Sequence, residues 1–216
     1  MLVGHRGISS AETSGWDHPE EEDEVVKDDP DEIALSKAFG LAEFNSKLYP
    51  FYHKHTSHWD PDELTLTTFI TPNRFERLKD LVLEYQGPIS AVLHLSQSDD
   101  IRSTLSAMDE MYASHPVFGE RLDIHLVTSR FERQLNAWRN YARAYARTRY
   151  VMMLDVDLVM RTDVRGALRG VLREEGEVGR GLRRGEVGLV VPAFEWRDSK
   201  EEPEDWRSFP RDKEVS

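Results

Sequence analysis

Two acids, Asp155 and Asp157, interrupt the otherwise apolar run Arg149 to Met160, RYVMMLDVDLVM. Ionised carboxylates are costly to bury, so an apolar strand closing on two of them needs a metal ion, a cationic partner or solvent at its end. The strand runs through both acids, and because residues i and i+2 share a face the side chains point the same way. Two carboxylates aimed at one point make a hard-oxygen site suited to Mn2+ or Mg2+, with the remaining positions filled by water and a diphosphate. A short Asp-x-Asp also arises by chance, and a pair that merely solvates or caps a strand end is the plain alternative. The same pattern opens phosphotransfer through Asp155 as nucleophile. That chemistry expects Thr and Gly after the second acid, where Leu158 and Val159 stand.

The elements that must position these acids begin near Glu63, where strand-like runs start to alternate with helical periodicity, the pattern of an α/β domain with a largely parallel sheet. LTLTTFIT, Leu64 to Thr71, is rich in β-branched residues and closes on Pro72-Asn73. Phe75, Leu78, Val82 and Tyr85 then fall on one helical face, stopped by Gln86-Gly87-Pro88. A second strand is predicted over Ile89–Ser96, followed by acids suited to a helix N-terminus and a stripe of Ile101, Leu105, Met108 and Tyr112. The third strand spans Leu122–Ser129, and Leu135, Trp138, Ala142 and Tyr145 form the next stripe. Tyr150 to Asp157 is the fourth strand and Val187 to Phe194 the fifth. Packing alone explains Met108, Met111, Trp138 and Tyr145 as core residues. In open α/β sheets ligands bind beyond the carboxyl ends of the strands, which is where Asp155 and Asp157 fall.

The chain has 216 residues, enough for one domain with a substantial core, and a formal net charge of −12. Much of that charge sits in HPEEEDEVVKDDPDEI, so residues 1–31 read as a disordered acidic arm and 32–62 as a helix, Asp31 to Leu48, and a connector. An acidic chain without a basic stripe is a poor nucleic-acid binder, and the absence of cysteine removes disulfides and thiolate metal sites. MLVGHRGISS lacks the apolar run of a signal peptide, and no eighteen-residue apolar stretch predicts a membrane segment. His53, His55 and His58 are clustered, but a polar connector before the first strand is a poor place for metal ligands. GEVGRGLRRGEVG, Gly176 to Gly188, fits neither phosphate-loop pattern and reads as a flexible basic loop.

Three ordered stretches carry a resemblance. LNAWRNYARAYA precedes the Asp-x-Asp run, with Asn136, Arg139, Asn140 and Ala142 matching an Asn-x-x-Arg-Asn-x-Ala helix; Val191 to Glu195 match Val-Pro-Ala-Phe-Glu, with Pro210 and Lys213 beyond. GPISAVLHL is similar to the second strand of the same group. Over roughly residues 64 to 216 the sequence resembles glycosyltransferase family 49, which contains the LARGE-type glucuronyltransferases. The resemblance implies a GT-A-like, Rossmann-type mostly parallel sheet with flanking helices over residues 63–216. It also implies a UDP-sugar donor, typically UDP-glucuronic acid, a Mn2+ or Mg2+ ion, inversion at the anomeric carbon, a glycan acceptor and a Golgi lumenal setting. Under it Asp157 binds the metal directly. Asp155 assists through water or the ribose, as metal and cofactor-binding residue both. Asn136 and Arg139 lie near the donor, Thr71 touches the nucleotide, and Glu195 is the candidate base for the acceptor hydroxyl.

The match also has gaps. Family members carry an aromatic and Pro-Ser after the acids, where this chain has LVMRTD. They also take a third metal ligand and much of the acceptor site from residues beyond the point corresponding to Ser216, which implies a partial member. A remnant that binds nucleotide without turning it over is the competing expectation.

Overall fold

The structure, a computed structural model, describes residues 2–4, 46–96, 99–129, 134–174 and 176–193. Seven strands form one mixed sheet among the described residues: β1 (Leu2–Gly4), β2 (Ser46–His53), β3 (Leu64–Ile70), β4 (Ile89–Ser96), β5 (Leu122–Ser129), β6 (Tyr150–Met153) and β7 (Gly188–Leu189). The spatial order is β2-β5-β4-β3-β6-β1-β7. Strands β5, β4, β3 and β6 run parallel, whereas β2, β1 and β7 pair antiparallel with their neighbours. The parallel strands, numbered along the chain, therefore lie in the order third, second, first, fourth. That order reverses between β3 and β6, and such a reversal opens a crevice at the carboxyl ends of the two strands. The architecture is the α/β, largely parallel sheet that the alternation of elements predicts, and it is consistent with the GT-A-like Rossmann fold that the resemblance implies.

Six helices cover the sheet among the described residues: α1 (Phe75–Glu84), α2 (Ile101–Ala113), α3 (Pro116–Arg121), α4 (Leu135–Ala144), α5 (Val164–Arg173) and α6 (Glu177–Arg184). Alternation along the strands sorts side chains to two faces. Leu64, Leu66, Ile70, Leu93, Leu95, Ile124 and Met152 join the larger core with residues of α1, α2, α3, α5 and α6. Val92 and Val127 turn the other way, onto Trp138, Tyr141 and Ala142 of α4. The predicted stripes are right where they face the sheet and frayed at their first residues: Leu78, Val82, Met108, Trp138 and Ala142 are buried, whereas Ile101 and Leu135 are exposed. Asp100, among the acids read as helix-starting, caps α2 by accepting the Ser103 N–H.

The α4 face of the sheet is more polar than an ordinary core, and hydrogen bonds join a run of its polar groups across the elements. His125 is fully buried; its Nδ1 accepts the Phe51 N–H at 3.0 Å and its Nε2 lies 3.0 Å from Ser90 Oγ, which in turn donates to the Ala142 carbonyl at 2.7 Å. These partners assign the neutral tautomer with the proton on Nε2. The chain of bonds ties β2, β5, β4 and α4 together. It also holds Phe51 at φ 52°, a strained value for a side-chain-bearing residue, where β2 bulges between Tyr49 and His53. Beside it the buried Asp123 accepts from the His55 N–H at 2.8 Å and from Arg147 Nε and Nη2, both at 3.1 Å. Burial pushes this carboxyl up, but His55 and Arg147 outweigh it and the net direction is down.

On the other face Glu63 anchors α5. Its oxygens take Arg165 Nε at 3.0 Å, Arg165 Nη2 at 2.6 Å and Arg169 Nη2 at 2.6 Å, while Arg165 also donates to the Gln86 carbonyl. Burial opposes ionisation here too, yet the two guanidinia and the Leu64 N–H hold the carboxyl at about 2. A Cβ on Gly179 would lie 2.5 Å from the Val171 carbonyl oxygen, so the missing side chain lets α6 pack closely on α5. Gly185, at φ 70°, ends α6 in the left-handed conformation that glycine adopts without strain.

Several expectations are corrected. Residues 46–53 form an edge strand rather than the end of a helix and a connector, because the two-residue alternation of SKLYPFYH fits a half-covered strand beside β5. The rest of the predicted helix, residues 31–45, lies outside the described residues. Leu2–Gly4, assigned to a disordered arm, pair with β6 and β7. The presumed basic loop over 176–188 contains α6, whose Leu182 is buried while Arg183 and Arg184 face solvent. The fifth strand is only Gly188–Leu189, and β6 stops at Met153 rather than Asp157.

His125 gives the fold a pH signature. Burial drives its pKa down to about 4 from an ordinary value of 6.5, so the unfolded chain takes up a proton that the native ring refuses. Its contribution therefore falls as the pH drops from 6.5 to about 4 and is constant below that, a change on the order of 3 kcal/mol. Denaturant unfolding at pH 7, 6, 5 and 4 is expected to show this loss, and His125→Gln, less stable at pH 7, is expected to show a shallower slope by about one proton.

Candidate functional site

The parallel register brings the ends of β3 and β6 side by side. Leu64 pairs with Tyr150, Leu66 with Met152 and Thr67 with Met153, and the Leu154 N–H reaches the Thr67 carbonyl at 3.0 Å as the last bond between them. Past that point the chain leaves the sheet. The Leu158 N–H bonds the Asp155 carbonyl at 3.0 Å, so Asp155 and Asp157 belong to a turn. The alternation rule, which puts i and i+2 on one side, does not govern a turn, and the expectation that both carboxylates project together for that reason is withdrawn.

Both acids are exposed, and each meets an arginine from a different direction. Arg139 Nη2 donates to Asp155 Oδ1 at 2.7 Å. Arg139 belongs to α4 and its guanidinium lies 5.3 Å from the centre of the Phe69 ring, which faces α4 from β3. Asp157 Oδ1 lies 3.2 Å from Nε of Arg74, at the end of the 3-10 turn Pro72–Arg74 that leads into α1 on the opposite face. Of the three answers to a pair of acids at a strand end, the structure displays cationic partners for side chains that are half exposed. No group of three or more His, Asp or Glu able to hold a metal occurs among the described residues.

The other predicted site residues fall around this crevice or outside the described residues. Thr71 follows β3 directly and donates through Oγ1 to Asn73 Oδ1 at 2.6 Å, while its carbonyl accepts the Arg74 N–H at 2.9 Å and closes the turn. Asn136 is exposed on α4 one turn before Arg139, on the same side of the helix. Glu195, with Phe194, Pro210 and Lys213, lies outside the described residues. The three histidines do not converge: His53 Nε2 lies 2.8 Å from Asp109 and its ring stacks on Tyr112, His55 is buried against Asp123, and His58 is exposed.

Two features escaped the sequence. Arg74 is the more telling, and its signal was present: in a sheet ordered third, second, first, fourth, the loop after the first strand faces the loop after the fourth. The second is the stacking of His94 on Trp138, ring centres 3.9 Å apart, under the Phe69 ring that carries Arg139. Trp138 is core, as its stripe predicts, yet it also supports the platform on which Arg139 rests.

Taken together, one crevice at the reversal of strand order holds two exposed carboxylates, two guanidinia, the Thr71 hydroxyl and a shallow cleft against α1 lined by Arg77, Asp80, Glu84, Leu158 and Met160. Charges of both signs beside a hydroxyl suit a ligand that is itself an anion accompanied by a cation.

Comparison with known proteins agrees on the lineage. The family described as glycosyl-transferase for dystroglycan matches residues 63–135 and 127–211. Over 138 residues the chain is 30% identical to the xylosyl- and glucuronyltransferase LARGE2 of Homo sapiens and 28% identical to that of Rattus norvegicus, covering 62% of this chain and 18% and 19% of those proteins. A glycosyltransferase-like protein, gnt15 of Dictyostelium discoideum, is 28% identical over 98 residues, 45% of this chain and 18% of that protein. The chain thus spans about a fifth of the length of the curated relatives it matches. With the family match extending over well more than half of its residues, from Glu63 to Arg211, this chain belongs to the family of glycosyltransferases described for dystroglycan.

Proposed function

We propose that this chain forms the nucleotide-sugar-binding part of a metal-dependent, inverting glycosyltransferase that moves a sugar, glucuronic acid by analogy with the named activity of its relatives, from a UDP donor to a glycan acceptor in the Golgi lumen. The observation that carries the proposal is the placement of Asp155 against Arg139 and Asp157 against Arg74 at the reversal of strand order, in a chain of this family.

The donor set fits Mn2+ or Mg2+ as part of an oxygen sphere. Asp155 and Asp157 offer hard carboxylate oxygens at an exposed position, and each contact to arginine engages Oδ1. Exposed ion pairs of this kind are worth about 0–1 kcal/mol each, so a divalent cation with a diphosphate displaces them at small cost. Asp157 would hold the ion directly and Asp155 through water or the ribose. When bound, the ion supplies charge neutralisation at the departing diphosphate.

The chain's own residues do the remaining work. Arg139, braced on Phe69, orients phosphate or sugar carboxylate oxygens through its planar fork, with Asn136 one turn away on the same side. Thr71 marks the nucleotide end of the crevice. The acceptor oxygen attacks the anomeric carbon as the bond to the diphosphate breaks, and its proton passes to a carboxylate, for which Glu195, two residues beyond the last described residue, is the candidate.

Calorimetric titration of UDP with and without Mn2+ tests the proposal. Binding is expected to require the metal in the wild type and to weaken by more than about tenfold in Asp157→Asn, the scale on which changes around metal ligands act. Equal binding in both proteins would remove the metal assignment, and metal-dependent binding with no transfer from any UDP-sugar would favour a nucleotide-binding remnant. Hydrolysis of an aryl phosphate that is lost in Asp155→Asn would instead point to aspartyl phosphotransfer.

A further inference from the structure

Arg74 occupies a position that the nucleotide-sugar reading leaves without a role. Its backbone is fixed: Pro72 starts the 3-10 turn and the Arg74 N–H closes it on the Thr71 carbonyl at 2.9 Å, directly off the end of β3. Its side chain is long and 44% exposed, and its approach to Asp157, 3.2 Å from Nε, is looser than the 2.7 Å contact of Arg139 with Asp155. Arg139 is braced by an aromatic ring, whereas Arg74 has its root fixed and its guanidinium in solvent. Of the two cations, Arg74 is the one built to change partners.

Charge accounting shows why a partner change matters. Asp155 with Arg139 and Asp157 with Arg74 form two balanced pairs, so a divalent ion arriving alone at the aspartates meets two positive groups already in place. A diphosphate arriving alone meets two carboxylates. Only the ion and the diphosphate together restore the balance, with the ion on the aspartates and a freed guanidinium on the phosphates, a geometry for which the arginine fork is suited.

We infer that Arg74 is the resting counter-ion of Asp157, which suppresses metal binding in the absence of donor and transfers to the donor diphosphate once the metal takes the carboxylate. This rests on the reading of the crevice as a nucleotide-sugar site. It makes metal and nucleotide binding mutually dependent, each strengthening the other by the same factor as linkage requires. Arg74 acts as a positioning residue, and its effect on the two ligands has opposite sign.

That opposition is the test. Mn2+ is titrated into the protein alone, followed by its electron paramagnetic resonance signal, and UDP is then titrated calorimetrically at saturating Mn2+. In Arg74→Gln, Mn2+ alone is expected to bind about three- to tenfold more tightly than in the wild type, the scale of removing one partly screened like charge. UDP at saturating Mn2+ is expected to bind more weakly by a similar factor, and Arg74→Lys, which keeps the charge, is expected to keep Mn2+ binding weak. Thermal melts of the three proteins at pH 7 exclude loss of fold, since Arg74 is exposed. Unchanged or weaker binding of Mn2+ alone to Arg74→Gln overturns the inference while leaving the metal site intact, provided Asp157→Asn still abolishes binding. A wild type whose UDP binding ignores Mn2+ overturns the nucleotide-sugar reading, and this inference with it.

Discussion

Parallel pairing of β3 with β6, from Leu64 beside Tyr150 to Thr67 beside Met153, is the constraint on which the crevice depends. Two strands far apart in sequence lie side by side, β6 ending at Met153 beside Thr67 and β3 running on to Ile70, and the loops that follow them meet at Arg74 and Asp157. One loop brings Thr71 and Arg74, the other Asp155 and Asp157. Neither set is a site by itself; the register makes them one. Burial secures that register, since Leu64, Leu66, Tyr150 and Met152 are all sealed within one core and a slip by one residue would turn each of them to the wrong face.

The two faces of the sheet support the crevice in different ways. The larger core is apolar and closed at its base by Glu63 with Arg165 and Arg169, which fixes α5 behind the loop carrying the acids. The smaller face carries a polar chain through Phe51, His125, Ser90 and Ala142 that holds α4 against the sheet. Because the network reaches α4 at Ala142, it helps set the position of Arg139, a crevice cation about one turn earlier on the same helix. Polar groups inside a core are tolerated when every one has a partner, and they specify a single docking geometry in return.

How much of this the sequence discloses depends on which physical signal each residue carries. Strands β4 and β5 were legible to the residue because continuous apolar runs bounded by turn signals have few alternatives. Strand β6 was read too long: Leu154, Val156 and Leu158 continue its apolar pattern through a turn, and periodicity does not see where hydrogen bonding to β3 ends. Helix α6 reads as a loop because two glycines and three arginines fall within eight residues, whereas close packing on α5 requires Gly179. Edge strand β2 was missed because its alternation is polar and broken by the bulge at Phe51. Asp155 and Asp157 stand out from local pattern, and Arg139 and Thr71 are singled out by the family resemblance, but their mutual arrangement, and Arg74 with it, is a property of strand order that no single stretch displays.

The central claim is that this crevice takes a divalent cation on Asp157 together with a donor diphosphate. A crystal of the protein grown with Mn2+ and UDP, measured for the anomalous signal of manganese, addresses it directly. The account predicts a manganese peak within bonding distance of an Asp157 oxygen and of the diphosphate, with the guanidinium of Arg74 withdrawn from the carboxylate. UDP bound elsewhere on the molecule, or an arginine still seated on Asp157 with no manganese beside it, would contradict that account.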